Sequence, residues 1–134
     1  MFGTFQTSRL RIEVNTSEDH IRNSLLQPIA FKQWLWPEQF SNDLPLELIP
    51  HTTFTGWLGP VSIQHHVTTL DEHHVRLLLS GGIDGFHEWA WGDGWVQSCL
   101  EGVSTLPLNV GHTLCLMRLK QFLERSQPQK RQQR

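Results

Sequence analysis

The chain has 134 residues, a formal net charge of −2 at pH 7, 38 % hydrophobic and 18 % charged residues. That length supports one hydrophobic core, and that balance fits a globular protein better than a disordered one. No apolar run approaches the roughly 20 residues of a membrane-spanning helix, and the N-terminus shows no basic stretch leading into an apolar one, so a signal peptide is not expected.

The first segment, residues 5–15, alternates. Leu10, Ile12 and Val14 share one face, and Arg9, Arg11 and Glu13 the other, which predicts a strand with one buried side. At Thr16 the period changes. Thr16 and Asp19 have the spacing of a capping box, and Glu18 and Asp19 suit a first helical turn. Ile21, Leu25 and Leu26 then follow at helical spacing until Pro28, whose ring lacks the N–H donor. A second short helix is expected from Ile29 to Trp36, stopped by Pro37. Residues 37–47 read as a loop.

From residue 51 the pattern is an antiparallel meander. Gly59-Pro60 predicts a tight turn that pairs Leu58 with Val61. Asp71-Glu72-His73 predicts a three-residue loop pairing Leu70 with His74, Val67 with Leu77 and His65 with Leu79; a two-residue turn would put the apolar sets on opposite faces. Ile83-Asp84-Gly85 predicts another three-residue loop, pairing Leu79 with Trp89 and Leu77 with Trp91. Asp93-Gly94 is a strong two-residue hairpin signal, pairing Trp91 with Val96, Trp89 with Ser98 and His87 with Leu100. Together these turns give one continuous apolar sheet face.

The last element is an amphipathic helix over residues 106–124. Leu108, Cys115, Leu119 and Phe122 form its apolar stripe, flanked by His112, Leu116 and Leu123. The domain is therefore expected to span residues 1–126. The tail 127–134 is polar and is expected to be disordered. It holds Lys130, Arg131 and Arg134; without them 8 of the 11 Lys and Arg residues remain against 13 acids, a balance of −5. An acidic body argues against nucleic-acid binding. Two cysteines cannot form a disulfide framework, and a reducing cytoplasm is the expected compartment.

An apolar sheet face must be covered, and the last helix alone is long enough to do so. In this order of elements the chain resembles the SRPBCC superfamily of helix-grip proteins, which includes START lipid-transfer domains, polyketide cyclases and the major birch-pollen allergen group. The resemblance covers roughly residues 4–126. It rests on the opening strand with Thr16-Ser17-Glu18-Asp19 entering a helix, on Trp34 near the end of the second helix, and on the run from Gly92 to Leu123. It implies an α+β helix-grip fold: a curved antiparallel sheet around a long C-terminal helix, with two short helices after the first strand. It also implies binding of hydrophobic molecules such as lipids, polyketides or pigments.

The residues set out the site. A cavity is expected between sheet and helix, lined by Phe54, Ile63, His65, Leu79, His87, Trp89 and Trp91 from the sheet and by Cys115 from the helix. Gly56 and Gly81 on the same face are expected to leave it room. His65 and His87 lie two strands apart and two residues out of step, about 12 Å between Cβ atoms, too far to share a metal ion. No metal, cofactor or catalytic residue is assigned. No acid is expected on the concave face, so acid–base work there would fall to histidine. Trp57 and Trp95 point outward and suit a protein interface, such as a homodimer's. Three functions follow: non-catalytic carriage or sensing of a hydrophobic small molecule, a cyclase or dehydratase using His65 or His87, and a protein-interaction module whose tryptophans fill its own cavity.

Overall fold

The computed structural model describes residues 3–35, 38–41 and 44–126. The elements are β1 (Thr4–Glu13), α1 (Glu18–Leu26), a 3-10 turn (Pro28–Ala30), α2 (Phe31–Trp34), β2 (Gln39–Phe40), β3 (Thr53–Leu58), β4 (Val61–Leu70), β5 (His74–Gly81), β6 (Asp84–Gly92), β7 (Trp95–Ser104) and α3 (Leu108–Ser126). The seven strands form one sheet in the order β1-β7-β6-β5-β4-β3-β2, antiparallel throughout. With α3 packed over its inner face and short helices after β1, this is the helix-grip α+β architecture. Trp36, expected at the end of the second helix, and the tail 127–134 lie outside the described residues. No helix among the described residues is long and apolar enough to cross a membrane.

Local chemistry explains the helix boundaries. The cap of α1 is Ser17, one residue later than the Thr16 expected: its side chain accepts a hydrogen bond from His20 N at 3.3 Å. Glu18 N–H is taken instead by Asp93 from the β6–β7 hairpin, at 2.8 Å. Pro28 ends α1 and opens the 3-10 turn at its first position, where the missing N–H costs nothing.

The hairpin registers at Gly59-Pro60 and Asp93-Gly94 are those expected, with Leu58 opposite Val61, Phe54 opposite His65, Trp91 opposite Val96 and His87 opposite Leu100. Two registers differ. Leu70 pairs with Val75, not His74, because β4 carries a bulge between Val67 and Thr69. The extra residue, Thr68, donates its hydroxyl to Arg76 O at 3.2 Å. The bulge turns Val67 and Leu70 to the same face while Val67 still meets Leu77, as a bulge's two-for-one pairing allows.

The second difference is larger. Leu79 pairs with Gly85 and Leu77 with His87, so Trp89 lies opposite Val75 rather than Leu79, and Trp91 does not pair with Leu77. The turn is centred two residues earlier than expected. Gly81 takes φ +86° and Gly82 N–H bonds Ser62 O at 2.7 Å, a left-handed position that glycine accepts without strain. The slip is four residues. Because it is even, every side chain keeps its expected face.

The core gathers on the inner face. Val67, Val75, Leu77, Trp89, Trp91 and Val96 from the sheet meet Cys115, Leu116, Leu119 and Leu123 of α3, closed at one end by Ile21, Leu25, Phe31 and Trp34. A second cluster of Ile63, Leu79, Ile83, Leu100 and Leu108 sits at the other end.

Candidate functional site

Between these two clusters the sheet and α3 part. The space holds a cavity of about 250 Å³. Its walls are apolar (Ile63, Leu79, Ile83, Leu100, Leu108) and its polar side chains are Glu38, His65, His87 and His112. Val110 and Leu114, on the first turns of α3, line it and are also exposed, at 57 % and 44 %, so the cavity opens to solvent along that helix. A narrower recess of about 50 Å³ adjoins it, sharing Leu35, Glu38, His65 and His87 and reaching in to Phe54, Trp34 and Trp89.

The eight residues expected at the site divide accordingly. Ile63, His65, Leu79, His87 and Cys115 line the larger cavity. Phe54 and Trp89 line the recess. Trp91 lines neither; it is 1 % exposed within the main core cluster, and its indole N–H has no hydrogen-bond partner. Gly81 does not make room in the cavity. It is the exposed last residue of β5, where an added Cβ would lie 2.6 Å from Ser62 O.

The concave side does carry an acid, contrary to expectation. Glu38 enters just before β2, a two-residue strand that pairs Gln39 with Trp57 and Phe40 with Gly56 at the sheet edge. Its Oε2 lies 2.8 Å from His65 Nε2, and both side chains are about nine-tenths buried. The His65 ring stacks on Phe54 at 4.5 Å with planes 4° apart. Gly56 makes this arrangement fit: an added Cβ would lie 2.6 Å from Glu38 Cδ and closer still to Oε2. The missing side chain at an inward position was the one trace of Glu38 in the meander's pattern.

A second polar chain runs from the cavity through the interface of α3 with β1 and β7. His87 Nε2 lies 3.1 Å from Ser98 Oγ, Ser98 Oγ 2.8 Å from His112 Nε2, and His112 Nδ1 2.8 Å from Ser8 Oγ, which also accepts from Asn109 Nδ2 at 3.2 Å. Ser98 has one hydroxyl hydrogen and two imidazole neighbours. With both rings neutral it donates to one ring and accepts from the other, so the tautomers of His87 and His112 are tied together. Burial holds the His87 pKa well below 6.5, with His112 and His65 adding to the effect, and burial lowers that of His112 to about 4. Both rings are therefore neutral at pH 7. Burial also raises the Cys115 thiol, and Glu38 adds to the rise, so this cysteine is not an activated nucleophile.

Outside the cavity several charged groups are paired. His74 and Arg76 meet Glu88 at 2.8 and 3.5 Å, His73 meets Glu18 at 3.0 Å, and Arg11 meets Glu13 at 2.8 Å. A groove of about 560 Å³ on the outer face runs past Arg9, Arg11, His74, Glu88 and Cys99; it is open to water and offers no enclosed apolar wall. Trp57 is 38 % exposed, while Trp95 lies under the Arg11 guanidinium, 4.8 Å from its ring centre. No group of three or more His, Cys, Asp or Glu side chains among the described residues is placed to hold a metal ion.

No protein-family model matches the chain, and no curated protein matches it in sequence. Its fold is similar to solved structures. Protein CV1439 from Chromobacterium violaceum has a TM-score of 0.71 at 17 % identity, covering 88 % of this chain and 97 % of that one. The Aha1 dimer from Colwellia psychrerythraea has 0.69 at 19 %, covering 89 % and 96 %. Norcoclaurine synthase from Thalictrum flavum, in complex with dopamine and hydroxybenzaldehyde, has 0.61 at 15 %, covering 94 % and 90 %. At these identities the likeness is one of fold: a curved sheet gripping a C-terminal helix.

Proposed function

We propose that the protein binds a compact hydrophobic small molecule in the cavity between α3 and the sheet. The carrying observation is the cavity of about 250 Å³, with apolar walls and a few polar groups converging on it. That is the composition of small-molecule sites, at a size just below their usual range of about 300–1,000 Å³, which suits a compact ligand. The tryptophans do not fill it: Trp34, Trp89 and Trp91 belong to the main core cluster. A structural neighbour holding two small aromatic molecules supports the same reading. Native mass spectrometry of the protein purified from cells tests it. The expected result is the chain plus one small molecule, released on denaturation; a bare chain that also takes up no apolar molecule added in excess contradicts it.

A second reading, an enzyme of the cyclase or dehydratase type, is favoured by the Glu38–His65 pair. A carboxyl beside an inward histidine is an arrangement that can pass a proton to or from a bound molecule. Turnover of an enolisable ligand that disappears in Glu38→Gln would support this reading over simple carriage. A homodimer is the further part of the proposal: Trp57 offers an exposed aromatic anchor, and the Colwellia neighbour is a dimer. Light scattering on the purified protein gives the oligomeric state directly.

A further inference from the structure

We infer that the molecule held in this cavity is neutral or cationic and presents an O–H or N–H donor to the Glu38–His65 pair, as a phenol or an aromatic amine does, and that carboxylates and phosphates are excluded. The inference rests on the binding reading above and names the chemistry of its ligand.

The argument starts from the charge that the lining can supply. Among the described residues no Lys or Arg lines the cavity. His87 and His112 are neutral at pH 7, because burial disfavours their charged forms. Glu38 and His65 share the contact between Oε2 and Nε2. With one proton on that contact and none elsewhere on the carboxyl, the pair is either neutral or carries one negative charge. It offers an anion no counterion. An anionic ligand would have to lose its water shell against apolar walls and a carboxyl, and an unpaired buried charge is among the most costly things a protein can hold.

The same pair favours a donor. Among the described residues the Glu38 carboxyl bonds only to His65, which leaves one of its oxygens without a protein donor. That oxygen is open to accept a hydrogen bond from a ligand O–H or N–H. The geometry keeps the carboxyl in place for this. Gly56 leaves the space that its oxygens occupy, and Phe54 stacks on the His65 ring and fixes its plane. On the opposite rim, in the first turn of α3, the Leu108 N–H already donates to Gln6 Oε1 at 3.0 Å.

Three two-ring compounds of nearly equal shape separate the contributions: 2-naphthol, 2-naphthoate and 2-methylnaphthalene, each titrated at pH 7 while tryptophan fluorescence is followed. The expected order is naphthol, then methylnaphthalene, then naphthoate, with naphthol about tenfold or more tighter than naphthoate. Glu38→Gln removes the negative charge but can still bond His65, and it should bring naphthol and naphthoate to within about threefold of each other. Gly56→Ala keeps the charge but displaces the carboxyl, and should narrow the same ratio. If methylnaphthalene binds and naphthol gains nothing over it, or if naphthoate binds best, the donor inference is overturned and the cavity reading stands. If none of the three binds, the cavity reading fails and the inference with it.

Discussion

Gly56 and Glu38 occupy one site between them: the carboxyl of Glu38 fills the space where a side chain at residue 56 would stand. A sheet-edge segment can bring an acid against His65 at 2.8 Å only because β3 has no side chain there. Gly56→Ala should therefore separate the pair. We expect a loss of about 1–3 kcal/mol in urea unfolding, the cost of leaving buried polar groups unpartnered. The His65 ring nitrogens should shift in the NMR spectrum. Unchanged stability with unchanged His65 resonances would contradict the arrangement.

The grip of α3 on the sheet rests on Leu116, Leu119 and Leu123, each 2 % exposed or less. Leu119→Ala should cost about 2–5 kcal/mol, the transfer and cavity cost of a fully buried leucine. Met117 lies on the same helix at 53 % exposure, and Met117→Ala should stay within about 0.5 kcal/mol. Equal losses at the two positions would show that the helix stripe is misassigned.

Trp34 and Trp91 are each 1 % exposed but differ at the indole nitrogen. Trp34 Nε1 donates to Ser24 O at 3.2 Å, while Trp91 Nε1 has no partner. Replacing either with Phe removes the same atoms. Trp34→Phe also strands a carbonyl, whereas Trp91→Phe removes an unpaired donor. Thermal unfolding should show Trp34→Phe the more destabilised by about 1–3 kcal/mol. The reverse order would mean that the Trp91 indole has a partner in solution.

Acid should weaken the fold through His87 and His112. An unfolded histidine takes up its proton near about pH 6.5. In the folded protein His112 resists until about pH 4, and His87 is held well below 6.5. Between these values the unfolded chain binds more protons. The linked stability is thus fully present above about pH 6.5 and is lost as pH falls toward the folded values, by at most about 1.4 kcal/mol per pH unit for each histidine. Urea midpoints between pH 7 and pH 4.5 should fall accordingly, and His112→Asn should flatten the slope. A slope unchanged in that variant, or NMR titrations placing both histidines above 6.5, would rule this linkage out.

The residues that were legible in the sequence are those whose role is fixed by neighbours in the chain. Asp93-Gly94 and Gly59-Pro60 each determine a turn, and the pairs around them stand as read. The β5–β6 turn was not legible. Gly81 and Gly85 both offer a left-handed residue; the protein uses Gly81, and the choice lies in the tertiary contact of Gly82 with Ser62. The even slip preserved the inward faces of Leu77, Leu79, His87 and Trp89. Glu38 was missed for another reason. It comes from a segment with no periodicity, whose two-residue strand is defined by β3 rather than by its own sequence. The His87–Ser98–His112–Ser8 chain joins residues up to 104 positions apart, beyond the reach of any local pattern.

The most direct test of a ligand cavity is the binding of N-phenyl-1-naphthylamine, a neutral dye with one N–H, to the wild-type protein and to a variant carrying Leu79→Phe and Leu100→Phe. Both leucines are buried and line the cavity, so the added rings should fill it. The wild type should bind one dye per chain and quench tryptophan fluorescence, with Trp89 beside the site. The filled variant should keep its circular dichroism spectrum and lose binding. Dye binding that survives in the filled variant and disappears on Trp57→Ala would place the site on the outer face of the sheet and contradict the cavity.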